Sequence, residues 1–309
     1  MATAGLALAG GSEWLVRTQV LPQDTMARHI DRFTQTRSPY VAFGDSHIAR
    51  GFNPSPPIVN LAYPSENLDR MIWKANRYFA SSPSPKTVLL QATPHLFADY
   101  RIDAGLGDYP EIFSADEKRL SVAFSERYRP QLLMFWRRFL FDGGQLRSKI
   151  EQTPSGALLS PGDLSRWSTR RRTQFARDRA QLHTPSDSDH RERVKAAYEH
   201  LVQAFLNRGA HVCLAAPPVS PDYRKTVAGL PKKNRERWLD ATAFFEQLAD
   251  DPRVRFVDHR NLVDTLDHFR DPDHLNKKGA LAYSPILEEA CFGDEIIRHR
   301  MVGVRDSRE

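Results

Sequence analysis

Five short runs of nearly unbroken apolar residues punctuate the chain: YVAFG (40–44), IVNLA (58–62), TVLLQA (87–92), AHVCLAA (210–216) and VRFVD (254–258). A strand wetted on one face alternates apolar with polar. Runs without that alternation predict strands covered on both faces.

Between the runs the period changes to that of a helix. In SENLDRMIWKANRYFA, Leu68, Met71, Ile72, Ala75, Tyr78 and Phe79 fall on one stripe, with Ser65 expected as the N-cap. In HRERVKAAYEHLVQAFLNRG, Val194, Ala197, Tyr198, Leu201, Val202 and Phe205 line one face, and Gly209 supplies the stop. WLDATAFFEQLAD carries a third such stripe, and KKGALAYSPILEEACF reads as a final helix. Strands alternating with helices predict a parallel, doubly wound sheet.

The rhythm breaks between about 97 and 188, where RYRPQLLMFWRRFLF predicts a helix. A Gly/Pro/Ser-rich stretch and the Arg-dense RWSTRRRTQFARDRAQLH follow. The expected boundaries are an N-terminal segment (1–37), an α/β domain (38–292) with a mostly helical Arg-rich insertion at about 97–188, and a polar tail (293–309). The start, MATAGLALAGGSEWLVR, is apolar for about ten residues, too short to span a bilayer, and lacks a basic leader. It reads as a candidate remnant of a membrane anchor or signal.

The 309 residues, 40% of them hydrophobic, suffice for a sizeable core and exclude a disordered chain. The formal charge of +6 comes with no helix-turn-helix, finger or aromatic RNA-binding pattern, so nucleic acid is not an expected partner. Arg166, Arg170, Arg171, Arg172, Arg177 and Arg179 form either a solvated face or a surface for an acidic glycan. The two cysteines, Cys213 and Cys291, lie far apart and are expected as separate buried thiols, with a disulfide as the alternative.

Candidate chemistry enters with VAFGDSHIARGF (41–52), which sets Ser46 directly after the first apolar run. In an open α/β sheet, sites lie at the carboxyl ends of the strands. A serine hydroxyl needs a base. RDPDHLNKKGA (270–280) offers His274, with Asp271 three residues before it. That spacing lets the carboxylate reach Nδ1–H and leaves Nε2 for the serine. Asn276 is expected to cap the final helix. Asp45 is expected to hold the turn by local hydrogen bonds, Asp273 to be exposed, and Asp258 and His259 to support the site from behind or to be structural rather than to act in catalysis. His47 and His95 either stack over the site or lie at the surface.

A GDSx after the first strand, paired with a DxxH before the last helix, resembles the SGNH (GDSL-like) esterase and acyltransferase superfamily over about residues 38–96 and 190–292. The resemblance implies a flavodoxin-like three-layer αβα sandwich with a central parallel five-stranded sheet. It implies Ser46 as nucleophile, His274 as base and Asp271 as its orienting partner, with no cofactor and no metal. The family's oxyanion hole commonly uses the nucleophile's N–H, a glycine N–H and an asparagine side chain. Here Ser65 stands at the glycine place and Pro94 at the asparagine place, and proline has no donor. Thr93, His95 and Asn67 are the candidate replacements.

HLNxxG after the catalytic Asp, the long insertion and GAHVCLAAPPVSPDYR resemble the exopolysaccharide and cell-wall O-acetyltransferase-like branch. That implies ester hydrolysis or O-acyl transfer, with an acetyl ester of a bacterial glycan or a small acyl ester as substrate. It also implies a periplasmic or extracytoplasmic location and, as candidate partners, an anionic polysaccharide and a membrane-bound biosynthetic complex. Two other readings stand beside it. A non-catalytic glycan-binding or assembly protein would keep the fold without the rate. A metallophosphoesterase would use Asp45-x-His47 as metal ligands, but its downstream GD-x-x-D and GNH are absent.

Overall fold

The computed structural model describes residues 2–81, 85–107, 109–114, 121–123 and 150–305. Nine strands occur among these: β1 (Tyr40–Phe43), β2 (Val59–Asn60), β3 (Thr87–Gln91), β4 (Glu151–Gln152), β5 (Leu158–Leu159), β6 (His211–Ala216), β7 (Val254–Asp258), β8 (Phe269–Asp271) and β9 (His274–Leu275). All five apolar runs form the central sheet, in the order β2-β1-β3-β6-β7, with every pair parallel. This is the doubly wound order, and its topological switch lies between β1 and β3, where a crevice opens at the strands' carboxyl ends. β4–β5 and β8–β9 are small antiparallel pairs that the apolar pattern does not announce.

Helices cover both faces of the sheet, as the lack of alternation demands, giving a three-layer αβα sandwich. On one face Tyr40, Ala42, Leu89, Cys213 and Ala215 share a buried cluster with Ile48 and Ala49 of α3 (Ser46–Gly51) and with Tyr283 and Leu287 of α11 (Lys277–Arg305). On the other, Phe43 meets Tyr78 of α4 (Leu68–Ser81) at 6.1 Å and Phe205 of α8 (Asp189–Leu206) at 5.8 Å between ring centroids. Phe245 of α10 (Lys232–Leu248) stacks on Phe256 of β7. Emptying the fully buried site of Phe43, Phe205 or Phe245 costs about 3–5 kcal/mol, so these contacts fix the strands that carry the site.

The cap of α4 corrects the expectation from sequence. Asn67, not Ser65, is the N-cap, its Oδ1 accepting from Arg70 N at 3.1 Å. Asn276 caps α11 as expected, with Oδ1 accepting from Gly279 N at 2.9 Å. Gly279 is required there, because a Cβ would run into the carbonyl of His268. α11 continues to Arg305, so residues 293–305 of the expected tail are helical.

Cys213 and Cys291 form a disulfide across a Cα–Cα distance of 5.4 Å, not the two separate thiols expected. Their separation of 78 residues conceals the contact. It arises because α11 returns across the face of the sheet that presents Cys213.

The chain divides into two compact units, residues 1–35 with 107–149, and residues 36–106 with 150–309. The smaller contains α1 (Ala2–Leu15), α2 (Thr25–Gln35) and α6 (Tyr109–Ser114). The larger holds the sheet, α5 (Asp99–Ile102), α7 (Thr169–Leu182) and α9 (Pro221–Ala228). The helix expected over RYRPQLLMFWRRFLF lies outside the described residues. Among the described residues no helix is long and apolar enough to cross a membrane.

Candidate active site

The turn after β1 is built around a close approach. A Cβ on Gly44 would lie 2.7 Å from Gln91 Oε1 and 2.8 Å from Ile48 Cγ1, so only glycine fits between β3 and α3. Gln91 Oε1 accepts from Asp45 N at 2.7 Å and ties the turn to the next strand. Asp45 is the N-cap of α3, accepting from His47 N at 2.8 Å, which makes Ser46 the first helical residue.

The Asp45 carboxylate does more than hold the turn. It is wholly buried, and its Oδ1 also lies 3.0 Å from His47 Nδ1. Its Oδ2 lies 2.8 Å from His95 Nε2 and 2.5 Å from Arg101 Nη2. Burial alone would favour its protonated form, but Arg101, His47 and His95 outweigh burial and hold it well below the usual carboxylate range. With both oxygens already accepting, Asp45 has no lone pair to offer a substrate proton.

The second half of the site is the β8–β9 hairpin. Asp271 Oδ1 accepts from His274 N at 3.0 Å and from Asp273 N at 3.3 Å, so the carboxylate closes the turn it sits in. The same oxygen lies 2.9 Å from His274 Nδ1. Arg270 Nε pairs with Oδ2 at 3.1 Å. Asn276 Nδ2 anchors the exit of the hairpin by donating to Asp267 O at 2.7 Å and Gly162 O at 2.8 Å.

These two turns bring three distant side chains together. His274 Nε2 lies 2.8 Å from Ser46 Oγ, across 228 residues of chain. Burial would raise Asp271, but His274 and Arg270 overcome it and leave the carboxylate strongly acidic. An ionised Asp271 must accept, so His274 carries its proton on Nδ1 and presents the Nε2 lone pair to the serine. Burial lowers the affinity of His274 for a second proton, yet Asp273 and Asp271 together raise it above the ordinary histidine value. Ser46 is 9% exposed, Asp271 8% and His274 3%, so the three side chains are largely enclosed.

Behind the triad stands a stack of imidazoles. His47 stacks on His274 with ring centroids 4.6 Å apart, His95 follows at 4.5 Å and His183, the C-cap of α7, at 4.7 Å. Of the two roles open to His47 and His95, the stack is the one they take. Burial pushes His95 down to about 3, against the pull of Asp45, so its Nε2–H donates to that carboxylate from a neutral ring.

Asp273 corrects a further expectation: it is fully buried, not exposed. Arg179 Nε reaches its Oδ1 at 3.1 Å, while Oδ2 faces His274 Nδ1 at 3.5 Å, His47 Nε2 at 3.6 Å and His183 Nε2 at 3.9 Å. Asp258 and His259 are structural, pairing with Arg260 and Tyr283.

Sequence reasoning missed Arg101, Gln91, His183, Arg179 and the role of Asp273. One signal was available: in RRRTQFARDRAQLH the small Ala176 and Ala180 interrupt the charged residues one turn apart, and Arg179 and His183 follow at the same helical spacing. Of the other arginines of that stretch, Arg172 pairs with Asp222, Arg171 stacks on Trp167, and Arg166, Arg170 and Arg177 are exposed.

The candidate oxyanion donors separate. Asn67 is fully used by the fold, its Nδ2 donating to Gly105 O at 2.8 Å and Arg101 O at 3.1 Å. His95 Nε2–H is committed to Asp45. Thr93 Oγ accepts from Gln91 Nε2 at 2.8 Å, which leaves its own proton available. Ser65 has φ 67°, the left-handed region that favours glycine. Its backbone N–H remains a donor in that conformation.

Among the described residues two groups have ligand atoms close enough to hold a metal ion, Asp45 with His47 and His95, and His47 with Asp273 and His274. In the first, Arg101 already occupies the carboxylate with its positive charge. No protein-family model and no curated protein matches the chain.

Proposed function

We propose that the protein is a serine esterase or O-acyltransferase working through an acyl-enzyme on Ser46. The observation that carries the reading is the continuous Ser46–His274–Asp271 hydrogen-bond chain at the carboxyl end of β1. In the first step Ser46 Oγ attacks the ester carbonyl while His274 Nε2 takes its proton. The tetrahedral intermediate collapses, and His274 returns the proton to the departing alkoxide. Water or an acceptor hydroxyl then attacks the acyl-enzyme, its proton passing to His274 and back to Ser46. Asp271 stays ionised throughout and stabilises the imidazolium.

The developing oxyanion is assigned to the Ser46 and Ser65 N–H groups, with the Thr93 hydroxyl as third donor. Each such donor contributes about 10²–10³ in rate. As substrate we propose an acetyl or other small acyl ester of a bacterial glycan. Arg170, Arg171 and Arg177 offer an exposed cationic face to an anionic polysaccharide. The disulfide supports an extracytoplasmic location, because such bonds persist in oxidising compartments. A membrane-bound biosynthetic complex is proposed as its setting.

A fluorescent organophosphonate tests the nucleophile. Wild-type protein is expected to be labelled once, on Ser46, and to release acetate from an aryl acetate, with both lost in Ser46→Ala. Labelling that persists in Ser46→Ala, or wild-type protein that neither labels nor hydrolyses, defeats the reading.

A further inference from the structure

Around the triad, carboxylates and guanidiniums pair one to one. Arg101 Nη2 lies 2.5 Å from Asp45 Oδ2, Arg270 Nε 3.1 Å from Asp271 Oδ2 and Arg179 Nε 3.1 Å from Asp273 Oδ1. Arg50 is a fourth guanidinium and has no carboxylate of its own. Among the described residues nothing accepts a hydrogen bond from it. Its side chain is half-buried, and its Nε is shut away from water without a partner. An arginine does not shed its charge to escape such a place, so the cost of the missing acceptor stands. Arg50 follows Ser46 by four residues on α3, so the two share a helix face with Cβ atoms about 5–6 Å apart. Helical side chains lean back toward the N-terminus, which carries that of Arg50 over the turn of Ser46. Its charge reaches His274, where it opposes a second proton.

We propose that Arg50 binds an anionic group of the substrate, a carboxylate set close to the reacting ester. The count of charges favours a monoanion: three carboxylates are already matched, and one guanidinium is left over. Arg270, paired with Asp271 through Nε, adds to the positive field on the same edge, and it and burial both work against the charge of Arg50. A bound carboxylate relieves both effects, because it supplies the missing acceptor and neutralises the surplus charge. It also removes the repulsion between Arg50 and the imidazolium that forms on His274. That this anion belongs to an ester being cleaved rests on the serine reading; the contact with Arg50 does not.

The full chain is assayed with para-acetoxybenzoate and with its neutral counterpart para-acetoxybenzamide, which differ only in the charge opposite the ester. The wild-type ratio of kcat/KM, anionic over neutral, is expected to fall by about tenfold or more in Arg50→Gln, the size of one charge-assisted contact. In Arg50→Glu the preference is expected to pass to an acetate ester bearing a para-trimethylammonium group, a gain that misfolding cannot imitate. Binding is measured separately, by calorimetry on Ser46→Ala protein, which is expected to take up para-acetoxybenzoate more tightly than the benzamide and to lose that difference when Arg50→Gln is added. Turnover whose ratio is the same in wild type and Arg50→Gln, or anion binding to Ser46→Ala protein that Arg50→Gln does not weaken, overturns the proposal and leaves the serine reading standing. Arg50-dependent binding in a wild-type protein that hydrolyses neither ester upholds the anion contact and defeats the serine reading instead. No binding of the benzoate at millimolar concentration overturns the contact.

Discussion

The imidazole of His47 lies face to face with that of His274, ring centroids 4.6 Å apart and planes 29° inclined. The candidate base is therefore held on its edge by Asp271 and on its face by a second ring that is itself pinned by Asp45. A ring fixed in both directions keeps Nε2 on the serine without reorganisation, the condition under which proton transfer is fastest.

Removing the edge contact tests the triad. Asp271→Asn leaves the shape intact but lets the amide donate, so His274 loses the partner that fixes its tautomer. Turnover of an aryl acetate is expected to fall by about 10³–10⁴-fold with KM little changed. A fall of less than tenfold would remove Asp271 from the proposed role.

The pH profile follows from the charge around His274. Asp273 and Asp271 raise its pKa against the effect of burial, and only the neutral ring can accept the proton of Ser46. Phosphonate labelling is expected to rise with pH through a midpoint above the ordinary value near 6.5. The linked stability has the opposite trend: the raised pKa contributes stability below the unfolded value, lost as pH climbs through the folded one. A labelling midpoint below 6.5 contradicts the assigned electrostatics.

Backbone strain at Ser65 predicts an improvement by mutation. A left-handed conformation costs a non-glycine residue about 1–2 kcal/mol, offset in part by the greater chain entropy of unfolded glycine. Ser65→Gly is expected to raise unfolding stability by about 0.5–1 kcal/mol and to keep esterase turnover, since the N–H is retained. Ser65→Val is expected to lower stability, because a β-branched residue tolerates positive φ least. Urea denaturation of both variants distinguishes these outcomes.

The Cys213–Cys291 bond closes a loop spanning 78 residues and ties α11, which follows the hairpin bearing His274, to the middle of the sheet. In the chain-entropy account a loop of this size contributes about 4 kcal/mol. The double Cys→Ser variant is expected to unfold at clearly lower denaturant, and wild-type protein in reductant to match it. Equal midpoints for the oxidised and reduced protein would contradict this.

The smaller unit has its own acid sensitivity. Glu13 accepts from Val122 N, Ala123 N and Ser121 Oγ, each at 2.9 Å, and from Arg17 Nε at 2.6 Å. Burial would raise its pKa, but these donors push it down from 4.5 to about 2. A depressed carboxylate contributes stability above its unfolded pKa and loses it as pH falls, so the contact between α1 and residues 121–123 should weaken between pH 4.5 and 2. Hydrogen exchange at Val122 and Ala123 should accelerate over that window, and Glu13→Gln should show the fast exchange already at neutral pH.

The sequence by itself determined the sheet. Strands buried on both faces cannot alternate, so YVAFG, IVNLA, TVLLQA, AHVCLAA and VRFVD were legible as apolar runs, and the helical periods between them implied parallel crossovers. It also yielded Ser46, His274 and Asp271 as candidates, because a strand end and a three-residue Asp–His spacing are local features. Only the tertiary structure decided what surrounds them. Arg101, Gln91, His183 and the buried Asp273 reach the site from four separate elements, and no periodicity relates them. The disulfide and the conformation of Ser65 were hidden for the same reason. Proximity across a fold and the sign of a dihedral depend on how elements close upon one another, whereas a burial pattern is written residue by residue along the chain.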